Sequence, residues 1–222
     1  MARKIDTNTS ALIVVDMQND FCHPDGFYGR HSSLVSPLGL KPELVTDGIP
    51  RIKPVLQAAR EAGLFVVHTQ IIRDSVPDSV SAIHQIIPAT FEAVLNAPGS
   101  SSLEPETWGS EIHTELSPLE GEYIVQKRSF SAFYGTDLEV ALRRRGIETV
   151  ILVGTITYAC VLHTAFDANV RDFDVIVASD STLSWDSSLQ DPTMRIVDLI
   201  IGETHSTEDI VKAIKYTTKK KG

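Results

Sequence analysis

Three residues of this chain carry complementary chemistry, each at or just past the end of a short apolar run: Asp16 after SALIVV, Lys127 after YIVQ, and Cys160 beyond TVILV. A thiol, a carboxylate and an ammonium held together make a nucleophile, an acid–base group and an electrostatic support for the thiolate. The carboxylate accepts the thiol proton and later delivers it to a leaving amine, which is the chemistry of acyl transfer. Taken singly, each residue has a plainer explanation. An Asp caps a loop, a Lys is solvated, and a Cys packs as a small hydrophobe. Three complementary types placed alike after apolar runs favour the enzyme reading.

Convergence requires those runs to be parallel strands. Ser10–Val15 is continuously apolar, as a strand covered on both faces must be. Leu64–Thr69, Tyr123–Gln126, Thr149–Val153 and Asp174–Ala178 read as further strands, with Glu203–His205 a short sixth. Helical spacing joins Ile49, Ile52, Val55, Leu56 and Ala59 in a helix over Ile49–Ala62 that Gly63 stops. Thr136–Arg144 is a second helix, with Thr136 as N-cap and Gly146 as stop. Cys160–Arg171, Asp191–Ile201 and Thr207–Tyr216 follow. Strands alternating with helices predict one α/β domain over 1–222, a three-layer arrangement with a mostly parallel sheet of about six strands and helices on both faces. In such a sheet the carboxyl ends share one edge, where ligands bind.

Gly154 is expected to break the fourth strand into a tight turn, with Cys160 opening the next helix. A cysteine at a helix start has a depressed pKa and carries more thiolate at neutral pH. Residues 21–42, with Pro24, Gly26, Gly29, Pro37, Gly39 and Pro42, read as a loop over the sheet. The stretch from Asp74 to Trp108 is the least regular, with a short helix expected at Ala89–Leu95. A long irregular insertion in a compact domain is usually a lid or binding loop, so 70–108 reads as substrate-shaping.

Composition narrows the class. The chain has 222 residues, 42% hydrophobic and 22% charged, and a net charge of −9. That is an ordinary globular balance, and a negative surface disfavours nucleic acid. The Lys219–Lys221 run reads as a solvated tail. No apolar run approaches a membrane span and the amino terminus lacks a signal-peptide core, so a cytoplasmic protein with no membrane partner is expected. Cys22 and Cys160 have no metal-ligand spacing and are expected to be free thiols.

The segments ALIVVDMQNDF (11–21), KRSFSAFYGTDL (127–138) and VGTITYACVLHTAFDA (153–168) resemble, in that order, the three signature blocks of the isochorismatase-like cysteine hydrolases. The resemblance covers most of the chain apart from 70–108 and the last twenty or so residues. It implies Asp16 as general acid–base, Lys127 beside it and Cys160 as nucleophile. It also implies a cis peptide at Thr155–Ile156 and an oxyanion hole formed by the backbone amides of Ile156 and Cys160. No cofactor follows from it, and a homo-oligomer, dimer or tetramer, does. Nicotinamidases in this superfamily carry an Asp-x-His metal cluster after the second strand. Here that region reads HTQIIRDSVPDS, with His68 alone, so no metal is expected.

The activity implied is hydrolysis of a C–N bond in a small amide, carbamoyl or ureide substrate through a thioester; the lysine block is most similar to ureidoacrylate and N-carbamoyl amide hydrolases. An isochorismatase-type vinyl ether hydrolase and a catalytically silent binding subunit are the alternatives. The cysteine speaks against the first, and retention of all three chemical residues against the second. Phe21, Trp108, Phe133 and Tyr134 are candidates to line an apolar pocket, with plain core as the competing reading. Gln18 and Asn19 either bind substrate or tie the loop, and Tyr158 borders the pocket. His163 and His84 are candidate extra catalysts, and Cys22 either approaches the site or fills space.

Overall fold

A computed structural model describes residues 5–73 and 102–219. Six strands form one sheet: β1 (Ser10–Val15), β2 (Phe65–Ile71), β3 (Tyr123–Lys127), β4 (Thr149–Thr155), β5 (Asp174–Leu183) and β6 (Glu203–His205). The order is β3-β2-β1-β4-β5-β6, with every pair parallel. β1 and its neighbour β4 are the centre, and nearly every residue in both is buried. That burial is why these strands are unbroken apolar runs rather than alternating ones. The longer helices are α1 (Ile49–Glu61), α2 (Leu138–Arg144), α3 (Leu162–Asn169), α4 (Gln190–Ile200) and α5 (Thr207–Lys219). α1 packs with α5, and α3 with α4.

The chain builds outward from β1 through β2 to β3, then returns to β4 and builds the other way. The reversal lies between β1 and β4, and the carboxyl ends of those two strands flank the crevice it leaves. Asp16 follows one and the Cys160 segment follows the other.

Several boundaries differ from the sequence expectation. β2 continues past Thr69 to Ile71, because pairing with β3 persists to Lys127. β5 extends past Ala178 to Leu183: after a register shift, Gly154 and Thr155 of β4 pair with Thr182 and Leu183. Gly154 therefore does not end its strand. Its φ is +111°, and a Cβ there would lie 2.2 Å from the carbonyl oxygen of Val15. Only glycine lets β4 pass this close to the end of β1. Residues 21–42 hold single helical turns at Phe27–Arg30 and Ser32–Val35 where a loop was expected.

The segment after β4 is also different. Cys160 does not open an α-helix; it lies in a π-helical turn, Thr157–Val161, in which the Val161 N–H donates to Ile156 O at 3.3 Å. Such turns recur at functional sites. α2 starts at Leu138 with Asp137, not Thr136, as its N-cap; Thr136 lies one residue earlier, where its hydroxyl accepts the Leu138 N–H at 3.3 Å. The expected helix at Ala89–Leu95 and His84 lie outside the described residues.

Candidate active site

Asp16 is the first residue past β1, fully buried, with a left-handed φ of +47°. Aspartate is among the few non-glycine residues that tolerate this region. Thr69 of β2 fixes it twice: the Asp16 N–H donates to Thr69 Oγ1 at 3.1 Å, and that hydroxyl donates to Asp16 Oδ1 at 2.5 Å. The other carboxylate oxygen, Oδ2, is left for Lys127, whose Nζ is 2.8 Å away.

Lys127 ends β3 with its side chain wholly buried. Its ammonium faces Cys160 Sγ at 3.3 Å and the carbonyl oxygens of Ser129 and Phe130 at 2.9 and 3.0 Å. A buried charge is tolerable only when its protons are accepted in this way. Burial pulls the lysine pKa down, but the Asp16 carboxylate and the Cys160 sulfur outweigh it and hold the group above the ordinary lysine value. Asp16, Lys127 and Cys160 are thus brought into one buried cluster at the carboxyl edge of the sheet.

The protonation state of Cys160 is not the expected one. Burial pushes its pKa up to about 12; Lys127 lowers it, and the Asp16 charge raises it again. Desolvation and the carboxylate together exceed the ammonium, so the free protein holds a thiol. The helix-start argument fails because the residue sits within a buried turn beside a carboxylate.

The Thr155–Ile156 peptide is cis. Thr155 Oγ1 donates to the Leu183 carbonyl at 3.2 Å, fixing this turn to the end of β5.

The candidate binding residues take different places. Gln18 and Asn19 tie the loop. Gln18 Nε2 donates to Ile71 O at 3.0 Å and Ser110 O at 2.9 Å, its Oε1 accepts the Ile71 N–H at 2.8 Å, and Asn19 Nδ2 donates to Trp108 O at 2.8 Å. Phe133 is core: it packs on Phe173, and the Arg171 guanidinium lies over its ring. Tyr134 is solvent-exposed, and Trp108 is half-exposed with its ring edge-on to His23 at 5.1 Å. Phe21 is buried, stacked on Tyr28 at 5.4 Å and tilted against Trp185 at 5.8 Å. Tyr158 is half-buried in the turn that carries Cys160; burial and then the Asp186 charge push its pKa up to about 12. His163 is exposed and bonded through Nδ1 to Ala159 O at 2.9 Å, outside the cluster. Cys22 is buried and free, its pKa raised by burial and then by the Asp16 charge. His68 is committed elsewhere, with Nε2 2.8 Å from Glu122 Oε2.

Four residues escaped the sequence reading. Thr69 holds Asp16. Asp20 accepts the Phe27 and Leu103 N–H groups at 2.8 Å each, joining two loops over the sheet edge. Tyr28 and Trp185 complete an aromatic wall with Phe21, their rings 4.4 Å apart. Thr69 and Asp20 left a signal, being polar residues within or beside apolar runs. The wall left none, since its rings are distant in sequence.

The fold and the sequence have known counterparts. The chain belongs to the isochorismatase family: the Isochorismatase domain model matches residues 10–209. The ureidoacrylate amidohydrolase RutB of Methylorubrum extorquens is 32% identical over 207 residues, covering 89% of this chain and 79% of that one. A solved cysteine hydrolase from Pseudomonas syringae pv. phaseolicola superposes with a TM-score of 0.80 at 26% identity, covering 98% of this chain and 100% of that one. N-carbamoylsarcosine amidase from Thermoplasma acidophilum superposes with a TM-score of 0.67 at 28% identity, covering 90% of this chain and 97% of that one.

Proposed function

We propose that this protein is a cysteine amidohydrolase that cleaves the C–N bond of a small amide, carbamoyl or ureide substrate through a thioester on Cys160. The observation that carries the reading is the position of Lys127 Nζ, 2.8 Å from Asp16 Oδ2 and 3.3 Å from Cys160 Sγ in one buried cluster. Likeness to enzymes named for ureidoacrylate and N-carbamoylsarcosine favours the carbamoyl and ureide end of that range.

Each step follows from the charges present. Asp16 takes the Cys160 proton as sulfur attacks the carbonyl carbon, and Lys127 stabilises the sulfur as it becomes anionic. The backbone amides of Ile156 and Cys160 hold the oxyanion. Asp16 returns the proton to the departing nitrogen, so ammonia or an amine leaves and the acyl group stays on sulfur. Asp16 then takes a proton from water, hydroxide adds to the thioester, and the acid and the Cys160 thiol are released. A thiol that is neutral at rest suits this order, because the thiolate forms only when a carbonyl is there to receive it.

Ammonia release from nicotinamide, biuret, ureidoacrylate, N-carbamoyl amino acids and aliphatic amides tests the reading. Wild type is expected to release ammonia from carbamoyl or ureide members with or without a chelator, and Cys160→Ala from none. Release that a chelator abolishes, or that survives in Cys160→Ala, contradicts it.

A further inference from the structure

We propose that the indole N–H of Trp185 is a specificity-determining donor, binding an acceptor oxygen on the part of the substrate beyond the bond that is cut. The inference rests on the amidohydrolase reading and deepens it, favouring ureido acids and their amides over simple alkyl ureas as substrates.

Trp185 is 3% exposed, and its Nε1 is buried without a hydrogen-bond partner among the described residues. Buried indole N–H groups ordinarily find an acceptor, because a donor withdrawn from water and left unpaired bears its full desolvation cost. The position of Trp185 explains the exception. It follows β5 by two residues; β5 ends at Leu183, which pairs with Thr155, and the Leu183 carbonyl accepts the Thr155 hydroxyl at 3.2 Å. Trp185 is therefore tied to the cis peptide that leads into the Cys160 turn. The Lys41 N–H donates to the Trp185 carbonyl at 2.9 Å and fixes its backbone.

The indole packs against Tyr28 at 4.4 Å and Phe21 at 5.8 Å. Phe21 lies five residues past Asp16, and Trp185 lies two past Leu183, the partner of Thr155, so this wall belongs to the same sheet edge as the cluster. A second buried polar atom without a partner among the described residues, Thr157 Oγ1, lies in the Cys160 turn itself. An unpaired donor inside an apolar wall at the sheet edge of the nucleophile discriminates sharply, since a substrate lacking the matching oxygen leaves it unpaired.

The test uses protein labelled with nitrogen-15 at the indoles in the Cys160→Ala background. There are two tryptophans, and Trp185→Phe assigns their signals. N-carbamoylglycine offers a carboxylate, N-carbamoylglycinamide a neutral carbonyl, and propylurea no second oxygen. The Trp185 indole proton is expected to move downfield with the first two and stay in place with propylurea. A shift with only one of them identifies the acceptor as anionic or neutral. In the Cys160 protein, replacing Trp185 by benzothienylalanine puts sulfur where the N–H was and keeps the ring shape. It is expected to lower kcat/KM about tenfold for the acceptor-bearing compounds and to leave propylurea unchanged. A Trp185 signal unmoved by all three, or an equal fall for all three, overturns the proposal. The shift is read without turnover. A shift in a protein that releases no ammonia refutes hydrolysis alone, and ammonia release without a shift refutes the donor alone.

Discussion

At Cys160, burial and the Asp16 carboxylate hold a proton that Lys127 alone would drive off. Because the thiol pKa is raised, from 9.0 to about 12, the anion is scarce at neutral pH and grows only above the ordinary value. Alkylation of Cys160 by iodoacetamide, followed by peptide mapping, should therefore be slower than for a small free thiol at pH 7 and rise steeply above pH 9. Asp16→Asn removes a charge that raises the thiol pKa. It should alkylate faster than wild type at pH 8 yet lose at least about 100-fold in turnover, because the proton acceptor is gone. Slower alkylation in that variant would contradict the electrostatic account. Asp16 and Lys127 were legible in the sequence as polar groups closing apolar runs, and Cys160 as the thiol in the turn that follows a third run. The state of the thiol was not, since it depends on how desolvation and two opposite charges balance in three dimensions.

Gly154 shows what strand packing demands of the sequence around the site. A Cβ there would meet the Val15 carbonyl oxygen at 2.2 Å and the Val15 nitrogen at 2.7 Å, and its φ of +111° is one that L side chains rarely adopt. Gly154→Ala should destabilise the protein by more than about 2 kcal/mol, read from urea denaturation. Ammonia release should fall with it, because β1 and β4 carry Asp16 and the Cys160 turn. A variant as stable as wild type would mean that the two strands part without cost. Strand identity was legible from apolar runs, but strand ends were not: β2 and β5 outlast their apolar runs because β3 and β4 continue to pair with them. The π-helical turn was equally hidden. Its residues, TYACV, have no pattern that separates a wide turn from the start of an ordinary helix.

Across the whole molecule, one carboxylate links a helix, the sheet and a loop. Glu122 bonds Arg60 of α1 at 2.7 and 2.9 Å, His68 of β2 at 2.8 Å and the Leu119 N–H at 2.9 Å. Burial acts to raise its pKa, but these partners more than offset it and hold the group at about 2, below the ordinary 4.5. Its contribution to stability is therefore present above pH 4.5 and lost as pH falls towards 2. His68 acts in the same direction. Burial lowers its pKa despite Glu122, so the unfolded chain takes up a proton below about pH 6.5 that the folded chain resists. Glu122→Gln should lose about 2–3 kcal/mol at pH 7, with the gap from wild type narrowing by pH 3. Denaturant midpoints at the two pH values check this, and a gap independent of pH would assign Glu122 a packing role only. The parallel α/β plan was legible from alternation alone. This junction was not, because Arg60, His68 and Glu122 meet only once the helix lies on the sheet.

The most direct test of Cys160 as nucleophile is to quench turnover with acid and map the acyl group. With any carbamoyl or ureide compound that yields ammonia, the peptide carrying Cys160 should gain the mass of the acyl fragment. Cys160→Ala should show neither adduct nor ammonia. An adduct on another residue, or turnover that persists without the thiol, would contradict the account.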